Sequence, residues 1–438
     1  MVYNTFDKTK KMVYNNIYLG YKEIKMEKQE YFKLIFGTEY YTIDDLRYNQ
    51  KLGFLFSKDE LAQFLKEKEH LIEENNEDIE KLPLKTFNSK YCFYIKGNYL
   101  LSNYFQYLST FVEDFKANQK TLFARNADDI MMSRAFSEIE GTLNVENVPT
   151  THKKVKEIYQ KRALTDKNDI IVKNMIEAMQ FIVKEKPSFD KENLLKLYNI
   201  LSFNCLDDED KLKEGAYYRD EGVLVGGFEG APDSMIEECM DSLFAFVNNS
   251  ENVKKYGALL PHICHYYMVY IHPYFDYNGR TARMVSFWLN YIFDINDAPL
   301  FMSEAINDNK KEYYRAITNT RNTYNDLTYF LGYILETAIK YSLVYKNLEE
   351  VKEKLSKTGD TLTSTEWGYL KKIIIHNSTG YFTYKDFFEY IHSTMTKQGG
   401  LKVLNTFVEY NLLIKDINKK KEAIYKVNPE ILTYKFQK

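Results

Sequence analysis

The sequence predicts a mainly α-helical protein with one small β-hairpin and a C-terminal module of three helices and two strands. Three observations carry this. Apolar residues recur at helical spacing over most of the chain, as in Leu101, Phe105, Leu108, Val112 and Phe115. Only eight prolines interrupt 438 residues. One short run, Glu221 to Phe228, instead places β-branched and apolar residues between glycines, and reads as a hairpin or a glycine-rich loop.

In chain order, the spacing predicts helices over 60–75, 99–118, 128–140, 151–162, 167–184, 190–202, 233–248, 255–271, 281–293, 309–320 and 325–345. Gly141 is expected to close the helix before it. The charged stretch from Asn347 to Asp360 reads as a linker or a surface helix. Beyond it come helices over 364–375, 383–391 and 396–410, with Ser364 as an N-cap, then strands over 412–416 and 423–427. Three helices and a two-stranded wing form the winged variant of the helix-turn-helix pattern. The expected division is residues 1–115 of unassigned role, 116–345 as a catalytic core, 346–363 as a linker and 364–438 as the winged module.

Composition narrows the function. A net charge of −3 gives no global field for nucleic acid or anionic lipid. Four scattered cysteines form no disulfide or zinc pattern, which fits a cytoplasmic location. The N-terminus has no apolar signal region, and no run reaches ~18 apolar residues, so no membrane partner is expected. His262 and His265 flank Cys264 on an apolar helix and read as satisfied core histidines. Asp294 to Asp297 hints at a calcium loop, but Pro299 stands where that loop needs glycine.

The stretch from His272 to Arg283, HPYFDYNGRTAR, does not read as core. Pro273 ends one helix, Asn278-Gly279 makes a tight turn, and Arg280 opens the next helix. Backbone amides in such a loop form an anion site. Arg280 and Arg283 lie three apart at a helix start, where the dipole disfavours cations unless a polyanion sits between them. A histidine, a carboxylate and two arginines around a phosphate form a phosphoryl- or nucleotidyl-transfer kit.

The same stretch resembles the Fic motif, H-P-F-x-[D/E]-G-N-G-R-x-x-R. His265 seven residues upstream, the segment LFMSEAINDNKKEYYRAI downstream and GAYYRDEGVLVGG before the motif extend the resemblance over roughly residues 130–345. It implies a Fic-type helical core with a hairpin flap and transfer of AMP from ATP to a Ser, Thr or Tyr hydroxyl of a target protein. His272 is then the general base, Asp276 the Mg²⁺ ligand, Asn278 and Gly279 part of the anion hole, and Arg280 and Arg283 the holders of the triphosphate. The flap residues Val223, Leu224, Val225 and Gly226 would dock the target by strand addition. Arg219 would precede the flap or anchor it through a salt bridge. Arg280 stands where the Doc branch has lysine, which disfavours phosphotransfer.

Two residues depart from the pattern: Tyr274 for phenylalanine and Tyr277 for the glycine that lines the phosphate loop. Upstream, Ser137 to Thr142 resembles the family's inhibitory helix, (S/T)-x-x-x-E-(G/N), with Glu140 expected to pair with Arg283 although Phe136 fills the Ser/Thr position. Two alternatives stand beside this reading. One is a Fic enzyme that uses another nucleotide or removes AMP. The other is a DNA-binding or scaffold protein with a decayed core. Lys397, Lys402, Lys419, Lys420 and Lys421 could hold DNA, or the winged module could dock a protein. The expected partners are a protein substrate, the chain itself as a substrate, and a second copy of the chain.

Overall fold

The computed structural model describes residues 46–47, 56–74, 79–97, 123, 129–293, 302–391 and 395–432. The predicted helix at 99–118 and the segment 294–299 lie outside these. The chain divides into Met1–Ala62 and Gln63–Lys438. In the first unit, Ser57 and Glu60 exchange backbone-to-side-chain hydrogen bonds of 2.7 and 3.3 Å, a capping box for helix α1 (Lys58–Glu73).

In the second unit, two helices form the centre. Every residue of α8 (Leu260–Ile271) except Val269 is buried, as is α9 (Asn278–Ile292) from Arg280 to Asn290. A helix that is apolar all round must be covered all round. The covering elements are α4 (Lys167–Glu185), α5 (Lys191–Ser202), α6 (Asp233–Val247) and α12 (Thr328–Thr358). Trp288 on α9 is fully buried and donates its indole N–H to the Pro187 carbonyl at 3.1 Å. Local sequence sets where the surrounding helices start. Asp166 caps α4 by accepting from the Asp169 amide, and Asp190 caps α5 by accepting from the Asn193 amide, each at 2.8 Å.

Several boundaries differ from the sequence expectation. The helix predicted over 255–271 is broken. It becomes α7 (Ser250–Tyr256), a 3₁₀ turn from Gly257 to Leu259, and α8, because Gly257 takes a positive φ of 46°. A hairpin of β1 (Ile79–Lys81) and β2 (Tyr94–Lys96) and a short helix α10 (Ser303–Asp308) were not expected. The flap is a hairpin: β3 (Leu224–Val225) pairs antiparallel with β4 (Phe228–Glu229) across Gly226 and Gly227, both at positive φ. No helix among the described residues is long and apolar enough to cross a membrane.

Gly141 does not end its helix. Helix α2 runs through it, Asp129–Val145. A β-carbon at Gly141 would meet the backbone of Ser303 and Glu304 at 2.5–2.7 Å, so glycine is there to let α10 approach. Glu138, one turn earlier, accepts from the Ser303 amide at 2.6 Å and from its hydroxyl. Burial raises the Glu138 carboxyl to about 7.

Of the two readings for Asn347–Thr358, the helix holds. These residues are the last three turns of α12, which Gly359 ends in the left-handed region at φ 81°. Thr363, rather than Ser364, caps α13 (Ser364–His376), in a capping box with Glu366. After α13 come β5 (Tyr381–Thr383), α14 (Tyr384–Ile391), α15 (Lys397–Glu409), β6 (Leu413–Ile417) and β7 (Ala423–Val427). The sheet has three strands, not two, in the order β5-β7-β6. The module is not held by a loose linker. Lys371 of α13 pairs with Glu304 of α10, and the Tyr345 hydroxyl of α12 donates to the same carboxylate at 2.5 Å.

Gly141→Ala is therefore expected to destabilise the protein. The methyl's overlap with α10 costs about 1–3 kcal/mol, which exceeds the ~1 kcal/mol that alanine gains over glycine inside a helix. A urea titration that shows Gly141→Ala equal to or more stable than the parent would contradict this packing.

Candidate active site

The site is the turn between α8 and α9. His272 caps α8 in the left-handed region, φ 55° and ψ 62°, with its N–H bonded to the Met268 carbonyl at 3.0 Å. Tyr277 takes the same region, φ 65° and ψ 5°, at the start of α9. Each non-glycine residue held there costs about 1–3 kcal/mol, so the surrounding packing must impose the loop. Asn278 supplies one clamp. Its side-chain carbonyl accepts from the Tyr274 amide at 2.9 Å, and its NH₂ donates to the Tyr274 carbonyl at 2.8 Å. The Asn278 side chain is thus spent on the loop, and only its backbone amide remains for an anion.

Arg219 supplies the second clamp, and not through a salt bridge. Its guanidinium donates to backbone carbonyls of His272 at 2.8 Å, Glu221 at 2.5 Å and Ala231 at 2.5 Å. One buried cation thereby ties the flap to the histidine. Gly230 sits between them, where a β-carbon would lie 3.1 Å from the His272 Cβ. Leu224 and Val225 on the flap are exposed, 71% and 38%, with Gly226 exposed and Val223 half-buried beside them.

His272 faces the loop with its Nδ1 turned inward, near the Val269 backbone. Burial lowers its imidazole from 6.5 to about 4. The ring is therefore neutral at pH 7 and can accept a proton. Asp276 is half-exposed. It accepts from the Tyr277 amide at 2.6 Å and faces Arg280 at 3.3 Å. Among the described residues no group of three His, Cys, Asp or Glu could hold a metal. A lone half-exposed carboxylate fits magnesium only where phosphate oxygens and water complete the shell. Asp210, which sequence reading missed, lies near enough that burial and then the Asp276 charge raise its carboxyl.

Arg283 is where the sequence expectation is overturned. Its guanidinium is buried and does not meet Glu140. Its Nη2 donates to Glu146 Oε1 at 2.5 Å, and its Nε donates to the Thr142 hydroxyl at 2.7 Å. A β-carbon at Gly279 would overlap the same Glu146 oxygen, so that carboxylate lies in the turn itself. Burial pushes the Glu146 carboxyl up, but Arg283 more than offsets this and holds it below its ordinary value. Glu140 instead lies toward Glu304, Lys371 and Lys372, and burial raises its carboxyl.

The signal for Glu146 was in the sequence. Thr142, Glu146 and Asn147 fit (S/T)-x-x-x-E-(G/N) at every fixed position. The last position has a physical reason: Asn147 takes φ 58° just past the end of α2, a region asparagine and glycine tolerate.

The other motif residues fall as follows. Tyr274 is fully buried and stacks on Tyr198, ring centres 3.8 Å apart, yet its hydroxyl finds no partner among the described residues. His265 hydrogen-bonds the Tyr313 hydroxyl at 2.9 Å, and His262 the Ser286 hydroxyl at 3.3 Å. Tyr274→Phe keeps the stack and removes a buried, unsatisfied hydroxyl. Stability is expected to rise by about 1 kcal/mol. A lower melting temperature for Tyr274→Phe would show that the hydroxyl is satisfied.

Residues 188–289 match the model of the Fic/DOC family. A 186-residue stretch, 40% of this chain, is 23% identical to the protein adenylyltransferase Fic of Drosophila ananassae. It covers 36% of that relative, so the chain spans little more than a third of its length. Among solved structures, a Fic family protein from Desulfovibrio desulfuricans G20 aligns over 82% of this chain and all of its own, at 18% identity and TM-score 0.45. Fic-1 from C. elegans aligns over 58% of this chain and 72% of its own, at 18% identity and TM-score 0.44. The motif loop, α8 and α9 as far as Leu289 fall within the matched residues, and this part of the chain is a Fic/DOC domain.

Proposed function

We propose that this protein transfers AMP from ATP to a hydroxyl of a protein target, and that Glu146 restrains the reaction. The observation that carries the reading is the meeting of His272, the Gly279 turn and Arg283 at one loop, with a carboxylate from outside the motif placed on the arginine.

The target hydroxyl attacks the α-phosphorus. A new O–P bond forms, the bond from that phosphorus to the bridging oxygen breaks, and pyrophosphate leaves. The hydroxyl proton passes to the neutral His272 ring, whose Nδ1 is turned inward, which leaves Nε2 as the acceptor. Backbone amides at the start of α9 and the two arginines stabilise the developing charge. Asp276 would hold Mg²⁺ shared with the phosphates, which supplies charge neutralisation. Arg219 keeps the flap, and with it a docked target strand, in register with His272. Glu146 occupies the guanidinium that a terminal phosphate needs, so ATP meets a cation already neutralised.

The same carboxylate could orient water at a bound AMP ester. Its place against Gly279 favours that second reading over one using Glu140. We also read residues 364–432 as a winged helix. Its exposed Lys397, Lys402, Lys419, Lys420 and Lys421 suit a phosphate backbone or an acidic protein. The absence of arginine there removes the commonest guanine contact.

The test uses the full chain with Mg²⁺ and α-labelled ATP. Glu146→Gly is expected to label itself or an added target at least about tenfold more than the parent, as loss of a competing ion pair predicts. Glu140→Gly should match the parent, and Glu146→Gly/His272→Ala should show no label. Strong labelling by Glu140→Gly alone would return the brake to Glu140. Release of AMP from a modified target by the parent, and not by Glu146→Gly, would favour the hydrolytic reading.

The pH profile gives an independent check. The base works as the neutral ring, and burial lowers its titration, so the neutral form persists further into acid. The Glu146→Gly rate should stay level from pH 8 to about 5, with its acid limb near 4 rather than at the ordinary 6.5. A limb near 6.5 in folded protein would remove His272 from the role of buried base.

A further inference from the structure

The phosphate-site reading counts Tyr277 among the residues of the phosphate loop but gives its ring no task, yet the loop is built around it. The residue stands at a left-handed position, φ 65°, where a side chain is ordinarily a burden. Its ring is not turned out to solvent: Tyr277 is only 2% exposed. The ring lies under Arg280, with the guanidinium carbon 3.3 Å from the ring centre. The Arg280 side chain is itself 8% exposed, and its Nε finds no partner among the described residues. Among the described residues its ion pair is with Asp276, long at 3.3 Å, and Asp276 is half-exposed. Stacking is therefore the close contact that fixes the plane of this guanidinium. The phenol end lies beside Cys205, and burial raises its hydroxyl above the ordinary value.

We propose that Tyr277 is a positioning residue for Arg280. Its ring holds the guanidinium flat in the one orientation that presents its N–H edge to a nucleotide phosphate. A planar cation on an aromatic face loses its out-of-plane freedom and keeps its in-plane donors. A glycine at this place would leave the arginine to find that orientation on binding. The Asp276 carboxylate, already bonded to the Tyr277 amide, is thereby free to leave Arg280 for a cation without releasing the arginine. The inference rests on the reading of this loop as a nucleotide phosphate site.

The test measures Mg·ATP binding by calorimetry to the full chain carrying Glu146→Gly and His272→Ala, which frees Arg283 and blocks turnover. Into this background go Tyr277→Phe and Tyr277→Asn. Phenylalanine keeps the ring. Asparagine tolerates the left-handed backbone and removes the ring. Tyr277→Asn is expected to weaken Mg·ATP about tenfold, and Tyr277→Phe by less than about twofold, the range of a partly buried cation–aromatic contact. With Glu146→Gly alone, Tyr277→Asn should raise KM for ATP and leave kcat within about twofold. Adding Arg280→Lys should abolish the difference between Phe and Asn, because an ammonium has no plane to stack. No Mg·ATP binding in the starting background would refute the nucleotide-site reading itself. Binding there, with Tyr277→Asn equal to Tyr277→Phe, would overturn the proposal while leaving that reading intact. Should Tyr277→Asn fail to fold, Tyr277→Gly, which takes the left-handed region without strain and also removes the ring, replaces it against Tyr277→Phe in the same cycle with Arg280→Lys. A Tyr277/Arg280 coupling below about twofold in that cycle overturns it equally.

Discussion

The arrangement depends on one buried guanidinium. Arg283 has almost no contact with water, so it must be paired or left at a cost of several kcal/mol. Its motif neighbours offer amides, another cation and a carboxylate that pairs with that cation. None of these neutralises it. The partner comes instead from a helix some 140 positions earlier in the chain, through the Thr142 hydroxyl and the Glu146 carboxylate. That requirement fixes where α2 must lie. It also explains why a charged residue can sit in a turn whose electrostatics otherwise suit an anion.

The position of α2 is in turn tied to the C-terminal module. Glu138 holds Ser303, Gly141 lets α10 approach, Glu304 of α10 meets Lys371 of α13, and Tyr345 of α12 shares that carboxylate. The chain of contacts is short and buried. It joins the sheet-bearing module to the helix whose end carries Glu146 through packed atoms rather than through a flexible connection. The continuous α12 has the same consequence, since it passes from the core into the approach to the module with no break until Gly359.

The loop itself is held against its backbone preference at two places, His272 and Tyr277. Different interactions hold each. At His272 the neighbouring carbonyls are clamped by Arg219, and at Tyr277 the ring is trapped beneath Arg280. Asn278 closes the span between them with both ends of its amide. A substitution that looks disabling on paper, tyrosine for glycine, is accommodated because the left-handed backbone is imposed by contacts on both sides and the ring has a cation to cover.

The sequence by itself determined most of the helices, the motif loop and the identity of the charged groups in it, and left the flap open between a hairpin and a loop. These follow from local periodicity, from turn dipeptides and from caps, all of which act within a few residues. It also carried the Thr142, Glu146 and Asn147 pattern, six residues from the similar Glu140-Gly141 pair. Only tertiary structure decided between the two glutamates. Gly141 permits a close helix contact in mid-helix, while Asn147 provides the left-handed end that turns Glu146 toward Arg283. The same holds for the third strand of the C-terminal sheet and for Arg219, whose partners are backbone carbonyls. Pairing and burial across long separations leave no mark on local spacing, so they appear only once the helices are packed.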